Sequence, residues 1–268
     1  MVGSWILTPV EGGLLYAALA VFAGAAIVGL RVITGKRRGR PLRPMLATGV
    51  VALTLLLIAI TLRTGQFPLI RRYEVILVAT WLLAAGGYLI DRRKGMPLLV
   101  AVAAPTLALM TLFAFLLVPE EGGVQPGFAA GKVAHIVLAV LGFVGFSVAA
   151  GVGALYLWQI RLLKRNPQAA VSRSGPSLER LDRLNLYAAS FGLPFLALSL
   201  LSGWLFIAVT PEIAARWWLD PTVLTTGAGL VVYSLLFVAR GWWGWRGRKI
   251  AWLSLIGFFC AVVGYVVA

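Results

Sequence analysis

Apolar runs of about 20 residues follow one another along almost the whole chain, each closed by a short polar, glycine- or proline-bearing break. As a helix, a run of that length spans the roughly 30 Å hydrocarbon layer of a bilayer, so the pattern predicts a polytopic membrane protein. Eight transmembrane helices are expected, over about 12–34, 44–62, 74–90, 97–118, 132–160, 185–209, 222–239 and 250–268. The fourth holds Pro105, tolerated in membrane helices because neighbours re-satisfy the freed backbone groups. The longest interval between runs, about 23 residues from Leu162 to Leu184, is shorter than the ~40 residues at which small domains fold unaided. The expected fold is an all-α integral membrane protein, a single polytopic domain over residues 1–268. Within the long interval, Leu178, Leu181 and Leu184 recur every third residue. That spacing fits a short amphipathic helix lying on the membrane, or a solvated turn beside it.

Charge then sets orientation. Of the 24 Lys and Arg residues, all but Arg63, Arg71, Arg72, Lys132 and Arg216 fall in or beside the first, third, fifth and seventh connections. Basic residues are retained on the cytoplasmic side, so both termini and the sixth connection are expected to face outward from a cell's inner (plasma) membrane. Composition agrees: 60% of residues are hydrophobic, only 12% are charged, and the mean hydropathy is +0.92. The net charge of +15 is explained by the sidedness of the loops, with membrane lipid as the partner and no nucleic acid needed. The single Cys260 excludes an internal disulfide or CxxC couple. The first dozen residues carry no Lys or Arg, and the basic cluster follows the first apolar run, the reverse of a cleavable signal peptide.

The sixth connection, Pro211 to Pro221, is the most unusual polar break. It holds Arg216, the pair Trp217-Trp218, Asp220 and Pro221 in a chain with only nine acids. Tryptophans at that depth fit the headgroup layer of any membrane protein. An acid and a proline directly behind the pair fit a docking edge for a flat, apolar ligand with polar edges. The one histidine, His135, opens the fifth helix at its outward end. It suits either a neighbour's hydrogen bond or a metal or haem iron. Ala139, Gly142 and Gly153 lie on its side of that helix, and small residues let a helix or a bulky ligand approach the backbone. Glu74 opens the third helix behind Arg71, Arg72 and Tyr73, with Trp81 on the same face. It fits an interfacial ion pair or an acceptor for the loop's backbone donors. Hydrolase, kinase and zinc-protease motifs are absent, as is a second histidine for a metal pair. Ion-coupled transporters keep ionisable groups mid-membrane, and these runs have essentially none.

Three stretches together resemble the haem-handling cytochrome c assembly proteins of the CcsA, CcmC and HemX type. They are GQFPLIRRYEVILVATW from Gly65, His135 with VLGFVGFSVAAGVGALYL after it, and LERLDRLNLYAASFGLPFLALSLLSGW through the tryptophan loop to GWRGRKIAWLSLIGF. In order and spacing they cover most of the chain from Gly65 on, and the size is similar to the short, eight-helix HemX-like branch. The resemblance implies haem b as a transient or substrate group, with His135 as an axial ligand of its iron. Trp217, Trp218, Asp220 and Pro221 would be the remnant of the family's tryptophan-rich haem box. Arg216, Tyr73, Glu74 and Trp81 would complete the cofactor-binding set. The box is shortened, and the family's second flanking histidine would fall near Val238, where none stands. The implied role is binding or presenting haem for c-type cytochrome biogenesis beside a CcsB-like or other assembly partner, without stand-alone catalysis. The alternative is a non-catalytic, HemX-like regulator or scaffold of haem biosynthesis acting through the basic loop Arg161 to Arg183.

Overall fold

The computed structural model describes residues 7–33, 41–69, 71–95, 97–118, 130–165, 177–208 and 219–267. These form eight helices: α1 (Pro9–Ile33), α2 (Leu42–Thr64), α3 (Arg72–Lys94), α4 (Pro97–Leu117), α5 (Ala130–Arg165), α6 (Leu178–Ala208), α7 (Pro221–Gly241) and α8 (Arg248–Val267). Seven of them, α1 to α7, are long and apolar enough to cross a membrane. The described part of α8 is the shortest of the eight and opens on Arg248 and Lys249. The helices form two compact units, residues 1–127 and 128–268, and each is taken by itself.

The spacing of buried residues shows why these runs are membrane helices. In α1 the buried positions are Glu11, Leu15, Ala18, Phe22, Ala25 and Gly29, a stripe at alternating steps of four and three. In α2 a similar stripe runs from Leu42 through Leu46, Gly49, Leu53 and Leu56 to Ile60. The outward faces are no more polar: Ile27, Leu30, Val51, Leu55 and Ile58 are exposed. A helix apolar all round is either a buried core helix or a membrane span, and exposed faces of this kind require lipid.

In the first unit α1 packs on α2 and α4, and α3 packs on the same two helices. Ion pairs fasten both ends. The Glu11 carboxylate, 1% exposed, accepts from Arg63 Nε at 2.8 Å, tying the start of α1 to the end of α2. Arg43 Nε donates to Asp91 Oδ2 at 2.9 Å, tying the start of α2 to the end of α3. Gly65 ends α2 at φ +67°, a left-handed conformation that glycine enters without a Cβ penalty, and its N–H caps Thr61 O.

In the second unit α5 packs along α6, and α8 packs on α5 and α7. The amphipathic stretch at Leu178 is not a separate surface helix. It forms the first turns of a continuous 31-residue α6, because Leu181, Asn185 and Ala189 carry one buried stripe straight through. Nothing between Arg183 and Asn185 breaks the helix.

Candidate functional site

The site begins with the seam between α5 and α6. A Cβ added at Gly142 would meet Leu196 N at 2.9 Å, and one at Gly145 would meet Gly192 Cα at 2.7 Å. A Cβ on Gly153 would meet Ala251 O of α8 at 3.0 Å. The small residues of α5 are therefore filled by protein backbone, and they do not form an open groove under His135. Register is set by a buried polar chain. Asn185 Nδ2 donates to Ala149 O at 2.7 Å, and Ser254 Oγ donates to Asn185 Oδ1 at 2.9 Å. Next to it the Tyr233 and Phe146 rings stack at 3.6 Å between centroids, and the Tyr233 hydroxyl donates to Ser254 O at 3.0 Å. Buried polar groups need such partners, and a satisfied network specifies one alignment of the helices.

That alignment brings His135, near the start of α5, against Ser199, Ser202 and Gly203 near the end of α6. His135 Nδ1 lies 2.8 Å from the Ser199 carbonyl oxygen. A carbonyl can only accept, so Nδ1 carries the proton, and the ring's lone pair, where it has one, lies on Nε2. Ser202 Oγ lies 3.2 Å from Nδ1 and itself donates to Ser199 O at 2.8 Å. Ser199 Oγ lies 3.3 Å from Nδ1 and donates to His135 O, also at 3.3 Å. Gly203 gives the ring its space: a Cβ there would stand 3.0 Å from Cε1 and 3.3 Å from Nδ1. Among the described residues Nε2 has no hydrogen-bond partner. The expectation of a neighbour's hydrogen bond is met at Nδ1.

The chain direction places Asp220 and Pro221 at the same end of this unit. Asp182, in the first turns of α6, pairs with Arg240 in the last turn of α7 at 2.8 Å, so α7 runs antiparallel to α6 and begins where α6 ends. Asp220 is the N-cap of α7, accepting from Thr222 N–H at 2.8 Å, and Pro221 occupies the first helical turn, where its missing N–H costs nothing. The Thr222 hydroxyl, and then its backbone N–H, hold the Asp220 carboxyl below the ordinary carboxylate range. Arg216, Trp217 and Trp218 lie outside the described residues. Val238, the expected place of a second histidine, lies within a turn of Arg240 at the opposite end of α7. A 21-residue helix is about 30 Å long, so a side chain there could not share one iron with His135.

Tyr73, Glu74 and Trp81 belong to the first unit, where they are occupied locally. Glu74, 3% exposed, accepts from Arg71 N–H at 3.1 Å, the reciprocal half of a capping box. Tyr73 is fully buried, and its hydroxyl accepts from Arg71 Nη1 at 3.3 Å. Trp81 Nε1–H donates to Thr54 Oγ1 on α2 at 2.8 Å. These contacts match the expectation that Glu74 takes up a loop's backbone donor.

Sequence reading missed the opposite end of the second unit. There Asp182 accepts from Arg240 and from the Gly247 N–H, the latter at 2.9 Å. Gly247 sits at φ +64° against the Tyr156 hydroxyl, with no room for a Cβ. Gly153, Tyr156, Asp182 and Asn185 close around it and leave no room for a ligand. Among the described residues no three His, Cys, Asp or Glu side chains gather as a metal site.

Residues 69–268 match the family model described as cytochrome C assembly protein. A relative from Prochlorococcus marinus (strain AS9601), a "Cytochrome c biogenesis protein CcsA", is 23% identical over 232 residues, 76% of this chain and 73% of its own. A protein of the same name from Guillardia theta is 21% identical, covering 81% of this chain and 78% of its own. A third, from Prochlorococcus marinus (strain NATL1A), is 24% identical with 84% and 80% covered. No solved structure matches.

Proposed function

Because the chain belongs to the cytochrome c assembly protein family, we propose that it is a multi-pass membrane protein that binds and presents haem for c-type cytochrome biogenesis. His135 Nε2 is the donor to the iron. The observation that carries this is the commitment of Nδ1 to the Ser199 carbonyl, which makes Nε2 the ring nitrogen left to meet the iron. Trp217 and Trp218 contact the porphyrin face or edge, each adding about 1 kcal/mol beyond burial. Arg216 offsets a propionate, and Asp220 with Pro221 fixes where the tryptophan segment joins α7. Tyr73 and Glu74 order the start of α3, and Trp81 ties the middle of α3 to α2.

His135 would hold the iron from this chain, and any further protein ligand would come from a second molecule, either an assembly partner of the CcsB-like kind or the apocytochrome. The thioether chemistry belongs to that complex, since Cys260 has no second thiol to form a couple with. Eight spans with both termini and the tryptophan segment outside agree with the gathering of basic connections at one end of each unit. In a strain lacking the gene, haem-stained c-type cytochromes are expected to disappear and to return with the wild-type chain. A His135→Ala chain present in the membrane at wild-type level is expected not to restore them. Full restoration by that variant would refute the assignment of His135.

A further inference from the structure

Resting on that reading of the site, we propose that the Ser199 carbonyl and Gly203 are the positioning elements of the haem-binding histidine. The carbonyl locks His135 as the Nδ1–H tautomer, and Gly203 leaves the gap that lets the ring reach it. Three observations converge. The 2.8 Å contact from Nδ1 to a carbonyl, which can only accept, requires a proton on Nδ1. The Ser202 and Ser199 hydroxyls crowd the same nitrogen, so the polar surroundings of the ring gather on its Nδ1 side. The three atoms nearest a Cβ built on Gly203 all belong to the His135 ring, with Nε2 the farthest of them at 3.9 Å. Gly203 is therefore a clearance for that imidazole, much as Gly192 is for the Phe146 ring, whereas Gly142 and Gly145 face backbone. A second hydrogen bond of this kind fixes ring orientation and raises ligand basicity at metal-bound histidines, and its loss lowers metal affinity about 10- to 100-fold.

The single histidine makes the test direct. The haem-free, full-length protein labelled with 15N-histidine, in detergent or nanodiscs, gives one pair of ring-nitrogen signals. The expected result is a protonated, pyrrole-type Nδ1 and an unprotonated, pyridine-type Nε2. Gly203→Ala pushes the ring off the carbonyl, so a mixture of tautomers is expected, with haem affinity lower by about tenfold or more. His135→Ala/Gly203→Ala removes the clash and is expected to recover the thermal stability of His135→Ala alone, which separates positioning from a folding defect. An Nε2–H tautomer or a mixture in the wild-type protein overturns the proposal, and that measurement needs no variant to fold. An unchanged tautomer in Gly203→Ala also overturns it. Because the ring signals are read without haem, a protein with the expected tautomer that takes up no haem supports the lock while refuting the reading of function.

Discussion

Gly145→Leu is expected to leave no folded second unit. A Cβ at this position stands 2.7 Å from Gly192 Cα, 2.8 Å from Gly192 N and 3.1 Å from Ala188 O. Those atoms are backbone, so no rotamer change makes room, and α5 and α6 must separate. Overpacking a core costs about 1–3 kcal/mol where side chains can yield, and here the cost lies at or beyond the top of that range. Separation also carries His135 away from Ser199, so the site is lost with the seam. Size-exclusion chromatography in detergent checks this: the variant should run as aggregate or be degraded before purification. Gly227→Ala, on α7 of the same unit, is the control, because a Cβ there meets nothing within 4 Å. A monodisperse Gly145→Leu protein as stable as the Gly227→Ala control would show that the seam is looser than described.

Asp182→Ala is the second large effect. Asp182 and Arg240 are 14% and 18% exposed, and Arg240 Nη1 is buried with no hydrogen-bond partner among the described residues. Removing the carboxylate strands a guanidinium in a poorly hydrated place, and breaking such a pair costs about 3 kcal/mol or more. The Gly247 N–H loses its acceptor in the same step, which frees the turn between α7 and α8. A clear fall in thermal midpoint is expected. Asp182→Leu/Arg240→Met, which removes both charges, should recover most of it, since replacing a whole buried pair by apolar groups is often nearly neutral. If the double variant is no more stable than Asp182→Ala, the pair is not what holds this end.

These two sites show what sequence could and could not reveal. The membrane class was legible, because unbroken 20-residue apolar runs have no other stable use. Which end of each unit is basic was legible too, since charge sidedness needs only the order of helices. The continuity of α6 was not: SLERLDRL and the apolar run after it read as two periodic segments. Their joint role rests on Asp182 meeting Arg240 and Asn185 meeting Ser254, partners far along the chain. The glycines of α5 signalled close approach but not by what, since helix backbone and a flat ligand demand the same missing side chain. His135 stood out as the only imidazole. The residues that aim it did not, because a serine carbonyl and a glycine on the facing helix have no chemical signature until register is known. Val238 is the converse case: the resemblance put the family's missing second histidine near it, and helix length sets that position at the far end of α7.

The most direct test of the account is a haem titration of the purified full-length protein, followed by the Soret band, with His135→Ala beside it. The account predicts a saturable, shifted Soret band for the wild-type chain. In the variant it predicts a band that is lost or weakened and moved toward that of free haem. A wild-type protein that takes up no haem, or a variant whose band and affinity match the wild type, would contradict it.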